Sequence, residues 1–256
     1  MSEKRTEHQT PLVEMRGIKK SFGRVQALKG VDFHVGRNEV VGLLGDNGAG
    51  KSTLIKILVG YYQPDEGEIY FEGKPVRFNS PWDSRNLGIE TVYQDLALVN
   101  LMPLWRNFFL GREIKRRIGP FTLIDRNRMR RTALEVLKEV GIFLRSPDET
   151  VAFMSGGERQ AVAIARAIHF GAKLLILDEP TAALSVGETR RVLEHILEAK
   201  EKGISVIFIT HNIYHVYEVA DRLVLLEHGE KIGEYTKSEV TPEQVMDIIA
   251  SAAGVK

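Results

Sequence analysis

The stretch GDNGAGKS, residues 45–52, decides the fold. It matches the pattern G-x-x-x-x-G-K-[ST], whose glycines let backbone N–H groups wrap an anion at a helix N-terminus. An apolar run at 40–44 precedes it, and apolar residues at helical spacing follow it to residue 58. A strand, a glycine-rich loop and a helix in this order predict a nucleotide-binding phosphate loop. The alternative is a glycine-rich turn that binds nothing.

Two side chains of this loop have distinct expected roles. Lys51 would reach the β- and γ-phosphates, and the Ser52 hydroxyl would bind Mg²⁺. The backbone would enclose the remaining phosphate oxygens. The expected nucleotide-binding set of the loop is Gly45, Asp46, Asn47, Gly48, Ala49, Gly50, Lys51, Ser52 and Thr53.

A second apolar strand, LLILDEP at 174–180, ends in two carboxylates. Asp178 would belong to the Mg²⁺ shell, and Glu179 would polarise a water molecule for in-line attack on the γ-phosphate. An ordinary acidic turn before Pro180 is the alternative. Beside a phosphate loop, this pair of carboxylates favours hydrolysis over transfer to a second substrate.

The stretch MSGGERQ, residues 154–160, begins a helix with two glycines in its first turn. Ser155 and Glu158 have the spacing of a capping box, which does not require glycine between them. Glycine is useful where another body approaches the backbone, and a helix N-terminus attracts anions. Ser155, Gly156, Gly157 and Glu158 therefore form a second candidate phosphate site.

The remaining pattern predicts an α/β architecture. Apolar strands at 173–177 and 204–210 alternate with helices, which indicates a parallel sheet covered on both faces. Short strands are expected between 12 and 41, a helical insertion at 95–159, and a hairpin from 222 to 235. The expected plan is a flexible tail (1–11), one domain (12–240) with a core (12–94 and 160–240) and a helical subdomain (95–159), and a C-terminal helix or tail (241–256).

Composition limits the function. The chain has 256 residues, a formal net charge of +1 and no cysteine, so disulfides and thiolate metal sites are excluded. The near-zero charge argues against nucleic acid as a partner. We find no apolar run of the ~20 residues that cross a bilayer and no apolar core of a signal peptide at the N-terminus. We expect a cytosolic protein whose membrane role comes through a partner.

Together these motifs resemble those of ATP-binding cassette (ABC) ATPases, from about Leu12 to Tyr235. The resemblance implies a P-loop NTPase (RecA-like) core with a mixed, mainly parallel sheet, an antiparallel β-subdomain and an inserted helical subdomain. It implies ATP and Mg²⁺ as ligands. In that family MSGGERQ is the signature sequence, which caps the γ-phosphate held by the phosphate loop of a second subunit.

The resemblance assigns three further residues. Phe22 matches an aromatic that stacks on adenine, Gln94 a ligand of Mg²⁺ that senses the γ-phosphate, and His211 a switch histidine. Without the resemblance, Phe22 would be a core or turn aromatic and Gln94 an ordinary residue at a strand end. His211 and His215 lack a third ligand, which argues against a metal pair. The expected catalytic set is Glu179, His211, Gln94 and Lys51, and the expected Mg²⁺ ligands are Ser52, Gln94 and Asp178.

Two departures from the commonest family pattern resemble the importers of ribose, xylose, galactose and fructose. Met154 and Glu158 vary the signature, and Ser185 ends TAALS where many relatives carry Asp. The ATPases of this group usually carry two cassettes, and this chain has one. The resemblance implies a second ABC ATPase subunit in a homodimer, a transmembrane permease at the cytoplasmic face of the membrane, and an external solute-binding protein.

Several alternatives stay open at this stage. They are an ABC ATPase of DNA maintenance or translation, a regulatory nucleotide-binding subunit, and an importer of nucleosides or another small polar solute. A GTPase is excluded because the chain has no N-K-x-D segment. The apolar stretch 96–111 is a candidate groove for a permease helix, with burial inside the helical subdomain as the alternative. A charge at Leu104 or Trp105 would test this docking prediction.

Overall fold

The structure is a computed structural model that describes residues 10–142, 146–252 and 254. Nearly all of the predicted tail 1–11 lies outside these residues. The strands are β1 (Val13–Phe22), β2 (Val25–Val35), β3 (Val40–Leu44), β4 (Glu66–Phe71), β5 (Lys74–Val76), β6 (Ile89–Val92), β7 (Lys115–Ile118), β8 (Phe121–Ile124), β9 (Leu174–Asp178), β10 (Ser205–Ile209), β11 (Arg222–Glu227) and β12 (Glu230–Thr236). The helices are α1 (Lys51–Leu58), α2 (Pro81–Asn86), α3 (Leu104–Phe108), α4 (Arg126–Glu139), α5 (Gly156–His169), α6 (Val186–Glu201), α7 (Ile213–Val219) and α8 (Pro242–Ala252).

The central sheet has six strands in the order β12-β11-β3-β10-β9-β6. Five of them are parallel, and β12 pairs antiparallel with β11. Every residue of β3 and β10 is buried, because apolar clusters pack on both faces of the sheet. Parallel strands end at one edge, so the loops after β3, β9 and β10 meet there. The predicted mixed, mainly parallel sheet is confirmed.

A second, antiparallel sheet has the order β2-β1-β4-β5. Its apolar face shares one cluster with α1 and the central sheet. The β1–β2 hairpin contacts the β11–β12 turn, where the Lys29 N–H donates to the Gly229 carbonyl at 2.9 Å. That turn also contacts the phosphate loop, because the Gly229 N–H donates to the Ala49 carbonyl at 3.1 Å. The predicted antiparallel β-subdomain is confirmed, and it forms one wall of the site.

The segment between β6 and β9 forms a lobe with its own apolar cluster. Residues from α3, α4 and α5 fill it, among them Leu104, Trp105, Phe108, Met129 and Leu137. Helix α5 continues into the core: Val162 belongs to the lobe cluster and Ile164 to the core cluster. The division that we expected between residues 159 and 160 therefore falls inside one continuous helix.

One element of this lobe differs from the expectation of a helical insertion. Strands β7 and β8 form an antiparallel hairpin across Gly119 and Pro120. All eight strand residues are exposed. Apolar and polar residues alternate where one face of a strand is buried, so a hairpin exposed on both faces does not need the pattern that predicts a strand. Among the described residues, no helix is long and apolar enough to cross a membrane.

Candidate nucleotide site

The phosphate loop joins β3 to α1 in a conformation that requires glycine. Gly45 and Gly50 have φ angles of 144° and 105°. A Cβ at Gly45 would lie 2.0 Å from the Leu226 carbonyl oxygen, and one at Gly50 would lie 2.9 Å from the Ala27 carbonyl oxygen. Backbone angle and close packing therefore both exclude larger residues at these positions.

Lys51 begins α1 and reaches back over the loop. Its Nζ donates to the carbonyl oxygens of Gly45 at 2.6 Å and Asp46 at 2.9 Å. Burial lowers the pKa of Lys51, and the nearby carboxylate of Glu179 opposes that shift. The ammonium group is thus held among oxygen acceptors, which phosphate oxygens can replace.

An open cavity of about 750 Å³ lies against this loop. Its lining gathers most of the predicted site: Asn47, Gly48, Ala49, Gly50, Lys51, Ser52, Thr53, Gln94, Asp178 and Glu179. Gly45 and Asp46 form the base of the loop beneath Lys51. The cavity is also lined by six residues that were not predicted from the sequence: Val25, Gln26, Ala27, Lys29, Ile209 and His228. They come from β2, β10 and the β11–β12 turn, and no local pattern marked them.

The oxygen donors in the cavity fit a divalent cation of the Mg²⁺ type. Ser52 offers a hydroxyl, Gln94 an amide oxygen and Asp178 a carboxylate, and all three line the same space. Burial raises the pKa of Asp178, and the neighbouring charge of Glu179 raises it further. A desolvated carboxylate beside a second carboxylate is stabilised by a cation. Among the described residues, no group of three or more His, Cys, Asp or Glu side chains forms a metal cluster.

Glu179 is fixed in place by the loop after β10. One carboxylate oxygen accepts from the Thr210 hydroxyl at 3.0 Å, and the other accepts from the His211 backbone N–H at 3.0 Å. The second oxygen also lies 2.8 Å from His211 Nδ1. The φ of Glu179 is 50°, in the left-handed region that non-glycine residues rarely adopt. Such backbone strain is common at functional sites.

His211 touches the site through Glu179 and does not line the cavity. His215, the other member of the rejected metal pair, places its Nδ1 3.0 Å from the Thr181 hydroxyl.

Phe22 also lies outside the cavity lining, at the end of β1. It pairs across the hairpin with Val25, which does line the cavity, and its ring meets the Tyr62 ring edge-on at 5.1 Å. The adenine-stacking role of Phe22 stays a prediction.

The helix start at 155–158 lies apart from this cavity. Ser155 Oγ accepts from the Glu158 N–H at 3.2 Å, and the Glu158 carboxylate accepts from the Ser155 N–H at 2.8 Å. The capping box is therefore present. None of these four residues lines the cavity that holds the phosphate loop of the same chain.

The two glycines of this helix start have a partner within the chain. The Gly157 N–H donates to Glu188 Oε1 at 3.2 Å. A Cβ at Gly157 would lie 2.9 Å from Cβ and Cγ of Glu188, and one at Gly156 would lie 2.8 Å from the Leu184 Cδ2 methyl. From the sequence we explained these glycines by an approaching nucleotide. Packing against Leu184, in the loop before α6, and Glu188, in the first turn of α6, explains them in part. Hydrogen bonds from the N–H groups of Ser185 and Gly157 lower the pKa of Glu188 to about 2.

A strand, phosphate loop and helix, with a carboxylate pair at the end of a neighbouring parallel strand, define a P-loop nucleoside triphosphatase. The family model "ABC transporter" matches residues 28–182. The chain belongs to this family, as one of its ATP-binding cassette ATPases.

Curated relatives agree with this placement. The chain is 49% identical over 242 residues to the xylose/arabinose import ATP-binding protein XylG of Sulfolobus acidocaldarius, covering 94% of this chain and 95% of that one. It is 44% identical to the fructose import ATP-binding protein FrcA of Rhizobium meliloti, covering 97% and 96%. The ribose import ATP-binding protein RbsA 1 of Rubrobacter xylanophilus is 46% identical over 87% of this chain, which spans 44% of that longer protein.

Solved structures match the whole architecture. An ATP-binding cassette of an ABC transporter in its ADP conformation superposes with a TM-score of 0.80 at 26% identity, covering 96% of this chain and 98% of that one. A dimeric bacterial ABC transporter cassette gives 0.73 at 25% identity, covering 88% and 98%. The predicted P-loop fold and family are confirmed.

Proposed function

We propose that the chain hydrolyses ATP, pairs through ATP with a second copy, and so powers a membrane permease that imports a monosaccharide. One observation carries this proposal: the phosphate loop, Gln94, Asp178 and Glu179 line one cavity, whereas the signature at 155–158 lies outside it. One chain thus holds a phosphate cavity and, elsewhere, a helix start suited to a partner's phosphate.

The geometry supports hydrolysis at this cavity. The loop amides and Lys51 bind the phosphates, and Mg²⁺ held by Ser52, Gln94 and Asp178 would neutralise their charge. Glu179 accepts a proton from the attacking water, and Thr210 and His211 hold its carboxylate in position. His211 would sense the γ-phosphate through Glu179, because its backbone N–H and its ring both contact that carboxylate.

A symmetric pair of chains would close two equivalent sites. Each signature helix would face the phosphate loop of the partner, with Ser155 and Gly156 toward the γ-phosphate. Hydrolysis removes the bridging phosphate and lets the chains separate. That movement would drive the permease.

The structure changes the expected docking region for the permease. Leu104 and Trp105 are buried in the lobe cluster, so they cannot receive a partner helix. Two other residues of the stretch 96–111, Ala97 and Leu110, line a cavity of about 170 Å³. The same cavity is lined by Arg85, Glu90, Arg112, Arg166 and Phe170.

This docking cavity has an unbalanced charge. Arg112 and Arg85 both pair with Glu90, and Arg166 adds a third guanidinium near that single carboxylate. Burial and the neighbouring charge of Arg85 lower the pKa of Arg166. An acidic side chain on a cytoplasmic helix of the permease would balance this excess. Docking there would place the chain at the cytoplasmic face of the membrane, with a solute-binding protein on the other side.

The sugar assignment rests on the import names of the relatives. An ATPase subunit docked on a permease would not itself contact the solute. Reconstitution with the permease and transport of labelled pentoses, fructose and nucleosides would separate the candidates. Stimulation of hydrolysis by DNA or ribosomes without any permease would favour a maintenance or translation role.

The Glu179→Gln variant tests the catalytic proposal. It keeps the shape of the side chain but cannot accept the water proton, so hydrolysis should fall by about 10²- to 10⁴-fold. Sedimentation should show a dimer with ATP and Mg²⁺ and a monomer with ADP. Adding Ser155→Arg to this variant should abolish the dimer while ATP still binds. Hydrolysis near the wild-type rate in Glu179→Gln would contradict the role of Glu179.

A further inference from the structure

The β7–β8 hairpin is an exposed apolar element. All of its strand residues are exposed, including Phe121 at 69% and Ile118 and Leu123 at 49% each. A two-stranded hairpin with no cover is marginal in water. Exposed apolar residues grouped in this way mark an interaction surface.

One face of the hairpin gathers these apolar side chains. Ile118 pairs directly with Phe121, and Arg116 pairs with Leu123. Directly opposed residues share a face of the sheet, so Ile118, Phe121 and Leu123 form an apolar patch next to the Arg116 guanidinium. We call this face the hairpin patch.

The surroundings of the hairpin patch are strongly basic. Residues 112–131 contain eight Lys or Arg and two Asp or Glu, a net charge of +6 in a chain of net +1. Among the described residues, none of the ion pairs within 4.0 Å involves Lys115, Arg116 or Arg117. These three charges are available to an external anion.

A cleft beside the patch combines both properties. It has a volume of about 550 Å³ and lies between β8 and the start of α4. Arg116 and Arg126 supply guanidinium groups, and Leu123 and Ile124 supply an aliphatic wall. The one carboxylate there, Asp125, accepts from the Arg128 N–H at 3.0 Å and so caps α4.

We propose that the hairpin patch and this cleft bind the surface of an anionic phospholipid bilayer. In a phospholipid, the charged phosphate head group lies within a few ångströms of the apolar acyl chains. The patch and the cleft have the matching arrangement, with guanidinium groups beside Leu123 and Phe121. Nucleic acid would use the cations and leave the apolar patch exposed. Such binding is separate from permease docking, because it requires neither the permease nor ATP.

Vesicle co-sedimentation of the full chain tests the proposal. Wild type should partition onto phosphatidylglycerol-containing vesicles, weakly onto pure phosphatidylcholine, and less as salt rises. The triple variant Lys115→Ser/Arg116→Ser/Arg117→Ser should lose about a hundredfold in partitioning, at roughly fivefold for each basic residue. Phe121→Ser should weaken binding at high salt as well as at low salt.

The matched control removes three exposed basic residues from the region of α6, as Arg190→Ser/Arg191→Ser/Lys202→Ser. It should bind vesicles as wild type does, and all these variants should keep the basal hydrolysis rate.

In Phe121→Trp, brominated lipids should quench the fluorescence of the new indole ring. Equal binding to both lipids, an equal loss in the control, or binding that appears only with the permease present would overturn the proposal. The last of these outcomes would assign the patch to a protein partner while leaving the proposed function intact.

Discussion

The glycines at 156 and 157 differ in what surrounds them, and this difference predicts opposite effects of alanine. Neither has a positive φ, so alanine fits the backbone at both positions. At Gly157 the added Cβ would lie 2.9 Å from Cβ and Cγ of Glu188, atoms tied to the α6 backbone. At Gly156 it would meet one terminal methyl of Leu184, which can rotate away.

The magnitudes follow from two opposing effects. Overpacking costs about 1–3 kcal/mol, and replacing glycine by alanine in a helix gains at most about 1 kcal/mol. With the full gain subtracted, we expect Gly157→Ala to destabilise the fold by up to about 2 kcal/mol. Gly156→Ala should be neutral or slightly stabilising. For a chain of this size, each kcal/mol moves the melting temperature by about 2–4 °C.

Thermal unfolding without nucleotide measures this difference directly. The control is a double-mutant cycle with Glu188→Gly, which removes the atoms that the new methyl group meets: Gly157→Ala should cost less in the Glu188→Gly background than in wild type. Hydrolysis gives a separate readout: both alanine variants should be impaired if the helix start faces a partner's nucleotide. Equal melting temperatures for Gly156→Ala and Gly157→Ala would refute the packing explanation.

Two further predictions concern α6 and the lobe. Because hydrogen bonds from Ser185 and Gly157 lower the pKa of Glu188 to about 2, the stability advantage of wild type over Glu188→Gln should be complete above pH 4.5 and disappear as the pH falls toward 2. Melting curves across this range check it, and a pH-independent difference would contradict it. In the lobe, Leu110→Glu should reduce transport and spare basal hydrolysis, whereas Leu104→Asp buries a charge and should lower stability by about 3 kcal/mol or more. Transport and hydrolysis assays in vesicles separate the two, and normal transport by Leu110→Glu would rule out the docking cavity.

Local patterns in the sequence predicted the centre of the fold. The strand, loop and helix at 40–58 depend on neighbouring residues: a buried apolar run, glycines at forced backbone angles and helical spacing. The same holds for β9 with its terminal carboxylate and for the capping box at Ser155. These elements carry most of the cavity lining, so much of the candidate site could be read from short segments.

Other features depend on contacts between distant segments and left no local signal. Lys29 and His228 line the cavity because the β1–β2 hairpin packs on the β11–β12 turn, some two hundred residues further along the chain. The contact between Gly157 and Glu188 joins the starts of two helices. The β7–β8 hairpin escaped prediction for a different reason, since its strands are exposed on both faces and carry no alternating pattern.

The contact of Glu188 with the signature also bears on how two chains would pair. In the single chain, the N–H groups of Ser155, Gly157 and Glu158 already donate to oxygen atoms of Glu158, Glu188 and Ser155, respectively. A partner's phosphate arriving at this helix start therefore meets two carboxylates, and like charges repel. Pairing then requires that Glu188 leave Gly157, or that the phosphate bind through the Ser155 hydroxyl and the N–H of Gly156. Because Glu188 also caps α6, its release would loosen the loop at 181–185 that lies between the two helices, so closure of the pair and rearrangement of this loop would occur together.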